Sequence, residues 1–192
     1  SLIDDLGLCG IQCGNLLGFA GELYQKGILT KKDLDGIELK WGDAEAFATL
    51  AEKIATREGI GDILAEGSYR AALKIQEMKG KNVVQYAVQE KGVALGAHGI
   101  RSGRDYVTDI SYACSVQAGD HTSIAYVPID HGDSELTLML HDSGVYCWFT
   151  SFEPEEAKWD FIKAVIGWEI GPEEWYKTTA LRILHMQRAL LL

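Results

Sequence analysis

Apolar residues recur at the spacing of an α-helix over most of the first eighty positions. The pattern predicts a helix over 14–26, which Gly27 ends, and a second helix that begins after Asp43 and ends at Gly59. The inward positions of these two helices are Leu16, Leu17, Ala20, Leu23, Tyr24, Phe47, Leu50, Ala51 and Ile54. Helices therefore dominate the beginning of the chain.

Three weaker patterns lie in the same half of the chain. Two shorter helical pieces are predicted over 60–78, with an interruption near Gly67. Thr30 followed by Asp33 has the pattern of a helix N-terminus. The run over 83–88 is rich in β-branched residues and predicts a short strand or extended segment.

The second half of the chain opens with a glycine-rich connection over 92–103 and is then again mainly helical. Further helices are predicted over 106–116, 134–141, 155–166 and 172–192. The predicted fold class is mainly α, with two packed helical subdomains, 1–92 and 93–192, and a short extended segment between them. No internal repeat of 20 to 50 residues is visible, which excludes solenoids and propellers.

Composition and charge narrow the classes of function. The chain has 192 residues, of which 28 are acidic and 18 basic, and its formal net charge of −10 disfavours binding to nucleic-acid phosphates. No stretch reaches the ~20 apolar residues of a membrane span, and no signal segment opens the chain. We therefore expect a cytoplasmic protein that binds neither nucleic acid nor membrane. Because the chain begins at Ser1 and stops at Leu192 inside a helical pattern, we also expect a fragment.

Four cysteines are too few for a disulfide scaffold, so reduced thiols are expected. Two of the cysteines close short segments of similar composition, Asp4-Asp5-Leu6-Gly7-Leu8-Cys9 and Asp142-Ser143-Gly144-Val145-Tyr146-Cys147. Taken alone, the first segment is better explained without a ligand: Asp4 or Asp5 caps a helix, and Cys9 is a small buried apolar residue. The likeness between the two segments is what indicates a shared role.

Together the two segments resemble the paired cofactor-binding motifs of the tungsten-pterin aldehyde:ferredoxin oxidoreductase family. In that family the first motif is Asp, two residues, Gly-Leu and then Asp or Cys, and the second is Asp, four residues and Cys; both spacings occur here. The resemblance extends to FAGELYQKGIL at 19–29, to the pair Trp41-Gly42 and to IATREGIGDILAEGSYRAA at 54–72. It implies that nearly the whole chain corresponds to the second and third domains of the family, both helical and both partial.

The resemblance implies a role for each residue of the two motifs. Asp4 and Asp142 are expected to hydrogen-bond the two pterin ring systems of a tungsten-bispterin cofactor. The other residues expected at this cofactor are Leu8, Cys9, Ser123 and Tyr146. Cys9 packs beside the pterin in the favoured interpretation and ligates tungsten in the alternative.

Cys147 is expected to ligate a 4Fe-4S cluster. Such a cluster needs four thiolates, and the resemblance places the other three upstream of the first motif, since Cys9 and Cys13 align with other positions. The amino-terminal pterin-binding domain of the family is also missing. We therefore predict that this chain alone does not assemble the cofactor and is inactive.

His121 matches the active-site histidine of the family, which exchanges a proton beside the substrate. Without that match, the better interpretation would be a structural histidine whose ring nitrogens are hydrogen-bonded within a turn or the core. Two positions depart from the aldehyde oxidoreductases: Gln117 replaces a frequent Arg, and Ser123 replaces a pterin-contacting Lys. Two phosphate-binding cations are thereby lost.

The predicted function is oxidation of aldehydes to carboxylic acids by the complete enzyme, with ferredoxin or another electron-transfer subunit as partner. The segment GAHGIRSG over 96–103 is closer to the benzoyl-coenzyme A reductase branch, so reduction of an aryl-coenzyme A ring is the alternative. A different class of interpretation is a helical module without activity of its own that self-associates through an exposed apolar patch. A hydrolase with metal ligands from Asp120, His121, Asp130 and His131 is disfavoured, because no nucleophile or oxyanion site accompanies them.

Overall fold

The computed structural model describes residues 1–96, 102–103, 106–107, 115–116, 119, 134–147 and 155–191. The chain folds as two compact units. Unit 1 comprises Ser1–Ile100 with Ala118–His121, and unit 2 comprises Arg101–Gln117 with Thr122–Leu192. The described elements are mostly helices, which confirms the mainly α class.

In its described part, unit 1 contains the four helices predicted from its apolar pattern and, before them, one short helix that the pattern did not predict. They are α1 (Leu2–Asp5), α2 (Gly10–Gln25), α3 (Ala44–Thr56), α4 (Ile60–Leu64) and α5 (Ser68–Lys79). The Asp43 carboxylate accepts from the backbone N–H of Ala46 at 3.1 Å and so caps α3 as predicted. Gly80 ends α5 in the left-handed conformation that glycine adopts without strain.

The core of unit 1 is formed by the inward faces of α2 to α5 and by the loop between α2 and α3. Its fully buried large side chains are Leu23, Leu29, Leu34, Leu39, Leu50, Leu64, Ile75 and Val83. Helices α3 and α4 approach closely at Gly61, where a Cβ atom would overlap the backbone carbonyl of Lys53. Only glycine allows this packing.

Two predictions of local structure in unit 1 are wrong. Thr30 and Asp33 form a hydrogen-bonded turn instead of a helix start: the Thr30 hydroxyl donates to the Asp33 carboxylate at 2.7 Å. The β-branched run does not form a strand, because Val84–Tyr86 is a 3₁₀-helix. A short antiparallel pair follows it, in which β1 (Gln89–Glu90) pairs with β2 (Val93–Ala94).

Unit 2 is built on α6 (Ser134–Gly144), α7 (Glu155–Ile166), α8 (Pro172–Glu174), a π-helix (Trp175–Thr179) and α9 (Ala180–Leu190). These confirm three predicted helices, with Pro172 in a first helical turn. The prediction of a helix from Tyr106 is wrong at its start, because β4 (Tyr106–Val107) pairs antiparallel with β3 (Ser102–Gly103).

The core of unit 2 lies among α6, α7 and α9. Its buried apolar residues are Leu136, Met139, Leu140, Trp159, Trp175, Ala180 and Leu184. The Trp175 indole donates to the carbonyl of Leu136 at 3.2 Å, which ties the π-helix to α6. In the described part of the chain, no helix is long and apolar enough to cross a membrane.

Candidate functional site

The first predicted motif is the end of α1 and the turn that follows it. Gly7 adopts a φ of +68°, the backbone N–H of Leu8 donates to the carbonyl of Ile3 at 3.0 Å, and that of Gly7 donates to the carbonyl of Asp4, also at 3.0 Å. These two bonds form a Schellman motif, which ends a helix with one left-handed residue. The aspartate therefore lies in the last helical turn, and Cys9 follows as the N-cap residue of α2.

The second predicted motif has the same local geometry in unit 2. Helix α6 ends at Gly144, Val145 adopts a φ of +57°, and the backbone N–H of Tyr146 donates to the carbonyl of His141 at 2.8 Å. This is the same six-residue hydrogen-bonded loop that Leu8 closes in the first motif. The likeness seen in the sequence is thus a likeness of backbone conformation.

Each turn presents one carboxylate and one thiol to its surroundings. Asp4 and Cys9 are exposed in unit 1, and Asp142 and Cys147 are exposed in unit 2. A hydrogen bond from the Ser1 hydroxyl holds the pKa of the Asp4 carboxyl below its usual value. An ionised carboxylate is an acceptor for the N–H groups of a ring system, and an exposed thiol is available to a metal.

The remaining residues around the first turn belong to the core of unit 1. Leu8 packs against that core, and Cys13 is buried within it. Burial, followed by the neighbouring Cys9, raises the pKa of the Cys13 thiol. Cys13 thus behaves as a small apolar residue.

The second turn is anchored on α7. The Tyr146 hydroxyl donates to the backbone carbonyl of Lys158 at 3.1 Å, and its ring meets the His141 imidazole edge to face, with the ring centroids 6.3 Å apart. The His141 Nε2 atom lies 3.0 Å from the Lys158 Nζ atom, and both side chains are buried. The spacing of the histidines gave no indication of this pair; the position of His141 directly before the motif was the available signal.

An apolar cavity of about 390 Å³ borders the second turn. Its lining is Leu140, Ser143, Gly144, Tyr146, Phe161, Ile162, Val165, Ile166, Trp168, Ile170 and Trp175. Several of these side chains are largely exposed, with Trp168 and Phe161 each 60% accessible. Unit 2 therefore has a wide apolar surface between α6 and α7.

Several predicted site residues lie outside the described residues. They are His121, Gln117, Ser123 and residues 97–101 of the segment over 96–103. Within the described ranges, no three His, Cys, Asp or Glu side chains come together as a metal site. A single exposed thiol is chemically suited to be one ligand of a cluster, and an exposed carboxylate to accept hydrogen bonds from an organic ring system.

Comparison with protein families gives one match that covers the chain. The sequence model described as "Aldehyde ferredoxin oxidoreductase, domains 2 & 3" matches residues 1–192.

Relatives of known description are similar over the same length. The chain is 57% identical over 191 residues to the aliphatic sulfonate oxidoreductase, WOR-like subunit, of Pyrococcus furiosus, covering 100% of this chain and 30% of that protein. It is 31% identical to the tungsten-containing aldehyde ferredoxin oxidoreductases of P. furiosus, over 92% of this chain and 31% of that protein, and of Thermococcus kodakarensis, over 91% of this chain and 31% of that protein. The chain thus spans about a third of the length of these relatives.

Among solved structures, the active-site complex BamBC of benzoyl-coenzyme A reductase, in complex with 1,5-dienoyl-CoA, is similar. The TM-score is 0.52 with 27% sequence identity, over 81% of this chain and 22% of that one.

Proposed function

Because the chain belongs to the aldehyde ferredoxin oxidoreductase family, whose domains 2 and 3 it matches throughout, we propose that it forms part of an enzyme with a tungsten-bispterin cofactor and a 4Fe-4S cluster. The observation that carries this proposal is the repeated turn. Two separate units end a helix in the same way and present an aspartate and a cysteine at the same spacing.

In this proposal the two exposed carboxylates, Asp4 and Asp142, each accept hydrogen bonds from one pterin ring system. Leu8, Cys9 and Tyr146, together with Ser123, line the site. Cys147 supplies one thiolate to the iron-sulfur cluster. When bound, the tungsten and the cluster supply two-electron chemistry and a path for the electrons.

The other cluster ligands and the amino-terminal pterin-binding domain belong, in this proposal, to sequence outside residues 1–192. The share of the relatives that the chain covers, 30% and 31%, supports this. A cluster needs four thiolates, and the described residues offer one exposed thiol in each unit. Residues 1–192 alone are therefore expected to bind no cofactor and to be inactive.

The first candidate reaction is oxidation of an aldehyde. An aldehyde and water give a carboxylic acid, two protons and two electrons, and ferredoxin or another electron-transfer subunit accepts the electrons. His121 takes up or releases one of the protons at the substrate, since imidazole titrates near neutral pH. We place the enzyme in the cytoplasm.

A second candidate substrate is an aliphatic sulfonate. The relative with 57% identity bears that activity in its name, whereas the aldehyde oxidoreductases are 31% identical. Reduction of an aryl-coenzyme A ring is the third candidate, favoured by the solved benzoyl-coenzyme A reductase complex at 27% identity.

The test uses a longer protein that includes the upstream domain, purified without oxygen. Its turnover is measured with an aldehyde, an aliphatic sulfonate and an aryl-coenzyme A thioester, with a viologen dye exchanging the electrons. Turnover of one of them that is lost in His121→Asn and kept in His185→Asn supports the proposal, since His185 is exposed on α9. Tungsten-loaded protein that turns over none of the three, or that is unaffected by His121→Asn, contradicts it.

A further inference from the structure

The pair formed by His141 and Lys158 is buried beside the second motif. His141, on α6, is 2% accessible and Lys158, on α7, is 7% accessible. Their Nε2 and Nζ atoms are 3.0 Å apart. Burial, and then the charge of Lys158, lower the pKa of the His141 imidazole, while the charge of Asp142 raises it. The neutral imidazole is therefore the favoured form.

The contact determines which imidazole nitrogen carries the proton. With Lys158 as an ammonium, which has three donors and no acceptor, His141 Nε2 is the acceptor in this hydrogen bond. The proton of the neutral ring then lies on Nδ1, a buried atom with no hydrogen-bond partner among the described residues. In this arrangement the ring has one fixed tautomer and one fixed orientation.

The fixed ring supports the turn of the second motif through Tyr146. The two rings meet edge to face, the backbone N–H of Tyr146 donates to the carbonyl of His141, and its hydroxyl donates to the carbonyl of Lys158. Tyr146 and His141 occupy the two positions of a Schellman motif whose side chains normally touch.

The turn needs this support because its left-handed residue is valine. Val145 has a φ of +57°, whereas the first motif has Gly7 at the same place with a φ of +68°. A β-branched residue in this conformation is strained, and such strain persists only where neighbouring contacts hold it. Val145 itself is 90% accessible and contributes little packing. The contacts of Tyr146 are therefore among those that hold the turn.

We propose that Lys158 and His141 are positioning residues for the second motif: the Lys158 ammonium fixes the His141 imidazole as a platform for Tyr146, which holds the strained Val145 turn and so sets the place of Asp142 and Cys147. The relevance of this placement to a cofactor rests on the proposed function. The placement itself is a property of residues 1–192.

The first test is the tautomer of His141, measured from the side-chain nitrogen resonances of ¹⁵N-labelled protein 1–192 at neutral pH. We expect a protonated Nδ1 and an unprotonated Nε2 in the unmodified chain. Lys158→Met keeps most of the buried volume and is expected to shift the ring towards the Nε2–H form. Lys163→Met is the matched control, since Lys163 lies on the same helix with an exposed side chain. An Nε2–H tautomer in the unmodified chain overturns the proposal.

The second test follows hydrogen exchange of the Tyr146 amide, with the Leu140 amide inside α6 as the reference. In Lys158→Met, exchange at Tyr146 is expected to accelerate about tenfold relative to Leu140, the change that accompanies loss of one aromatic contact. Adding Val145→Gly removes the strain of the left-handed residue and is expected to restore protection.

Equal acceleration at both amides, or no restoration by Val145→Gly, overturns the positioning role. Neither readout involves a metal, so failure here leaves the proposed function standing. Conversely, absence of tungsten and iron from the longer protein overturns the proposed function and leaves the tautomer result unaffected.

Discussion

At the scale of single residues, Asp33 shows how one polar pattern stabilises a turn in place of a helix. Its carboxylate accepts from the Lys79 ammonium and from the Thr30 hydroxyl, which together hold its pKa at about 2. Because this value lies below the pKa of 3.8 in an unfolded chain, the contact contributes stability above pH 3.8. The contribution disappears as the pH falls through about 2.

The first prediction is that Asp33→Asn lowers the free energy of unfolding by roughly 1–2 kcal/mol at pH 6. The difference from the unmodified chain should shrink as the pH falls from 4 through about 2, because Asp33 becomes protonated over this range. Urea unfolding, followed by circular dichroism at several pH values, measures this difference in the free energy of unfolding. Glu77→Gln, at an exposed site on α5, is the control, and a difference that persists at pH 2 would contradict the assignment.

At the scale of elements, the side chains of α2 hold the short strand pair of unit 1. Asn15 donates to the carbonyls of Val88 and Leu95 at 3.0 and 2.9 Å. Gln12 donates to the carbonyl of Ala94 and accepts from its N–H. A strand pair of two residues is marginal by itself, so these amides supply the missing backbone partners.

We therefore predict that Asn15→Asp destabilises the chain by about 2–4 kcal/mol and by more than Asn15→Ala does. The aspartate has the same size but places a charged acceptor against two carbonyl oxygens. Gln25→Glu is the matched control, since Gln25 only accepts from the Trp41 indole and glutamate can still do so. Thermal unfolding measures all three, and equal stability of Asn15→Asp and wild type would show that the amide is not needed.

A second prediction at this scale concerns the contact of α3 and α4. Gly61→Ala forces a Cβ into the Lys53 carbonyl and is expected to cost about 1–3 kcal/mol. Gly18→Ala places its Cβ in open space within α2 and is expected to stabilise by about 0.5–1 kcal/mol. Opposite shifts of the unfolding midpoint are the expected result. A Gly61→Ala chain as stable as wild type would refute the close packing.

The helices of this chain could be predicted because their apolar faces follow the 3.6-residue period and because Gly27, Asp43 and Pro172 mark three of their ends. The predicted end at Gly59 is late, because α3 ends at Thr56 with Arg57 in the left-handed conformation. The short extended pieces could not be predicted. The β-branched run near Val83 buries one side chain under α5 and then turns, so tertiary packing overrides β-propensity there. Two-residue strands such as Tyr106–Val107 are too short to have a period.

At the scale of the whole molecule, the likeness of the two Asp-to-Cys segments could be found from their spacing, but the geometry of their turns could not. A valine at position 145 does not indicate a left-handed backbone conformation, since glycine is the usual residue there. The sequence also does not predict the burial of Lys158, because a lysine on a helix is ordinarily exposed. Only the packing of α6 against α7 brings it to His141.

The apolar surface of unit 2 leads to a prediction for protein 1–192 in solution. Phe161, Val165 and Trp168 are 60%, 79% and 60% accessible, and such a patch favours self-association. Light scattering is expected to show oligomers that Phe161→Glu with Val165→Glu reduces. Leu73→Glu, at an exposed site in unit 1, should leave them. A strictly monomeric chain at high concentration would refute this prediction.

The most direct test of the central claim is iron and tungsten content, with the cluster spectrum, in a longer protein that includes the upstream domain. About four iron atoms are expected per chain. Cys147→Ser is expected to lower the iron content or to change the cluster spectrum. Cys13→Ala is expected to leave both unchanged, since Cys13 is buried in the core. Residues 1–192 alone are expected to hold neither metal. Full iron with an unchanged spectrum in Cys147→Ser would contradict the role of the second motif and, with it, the account given for the repeated turn.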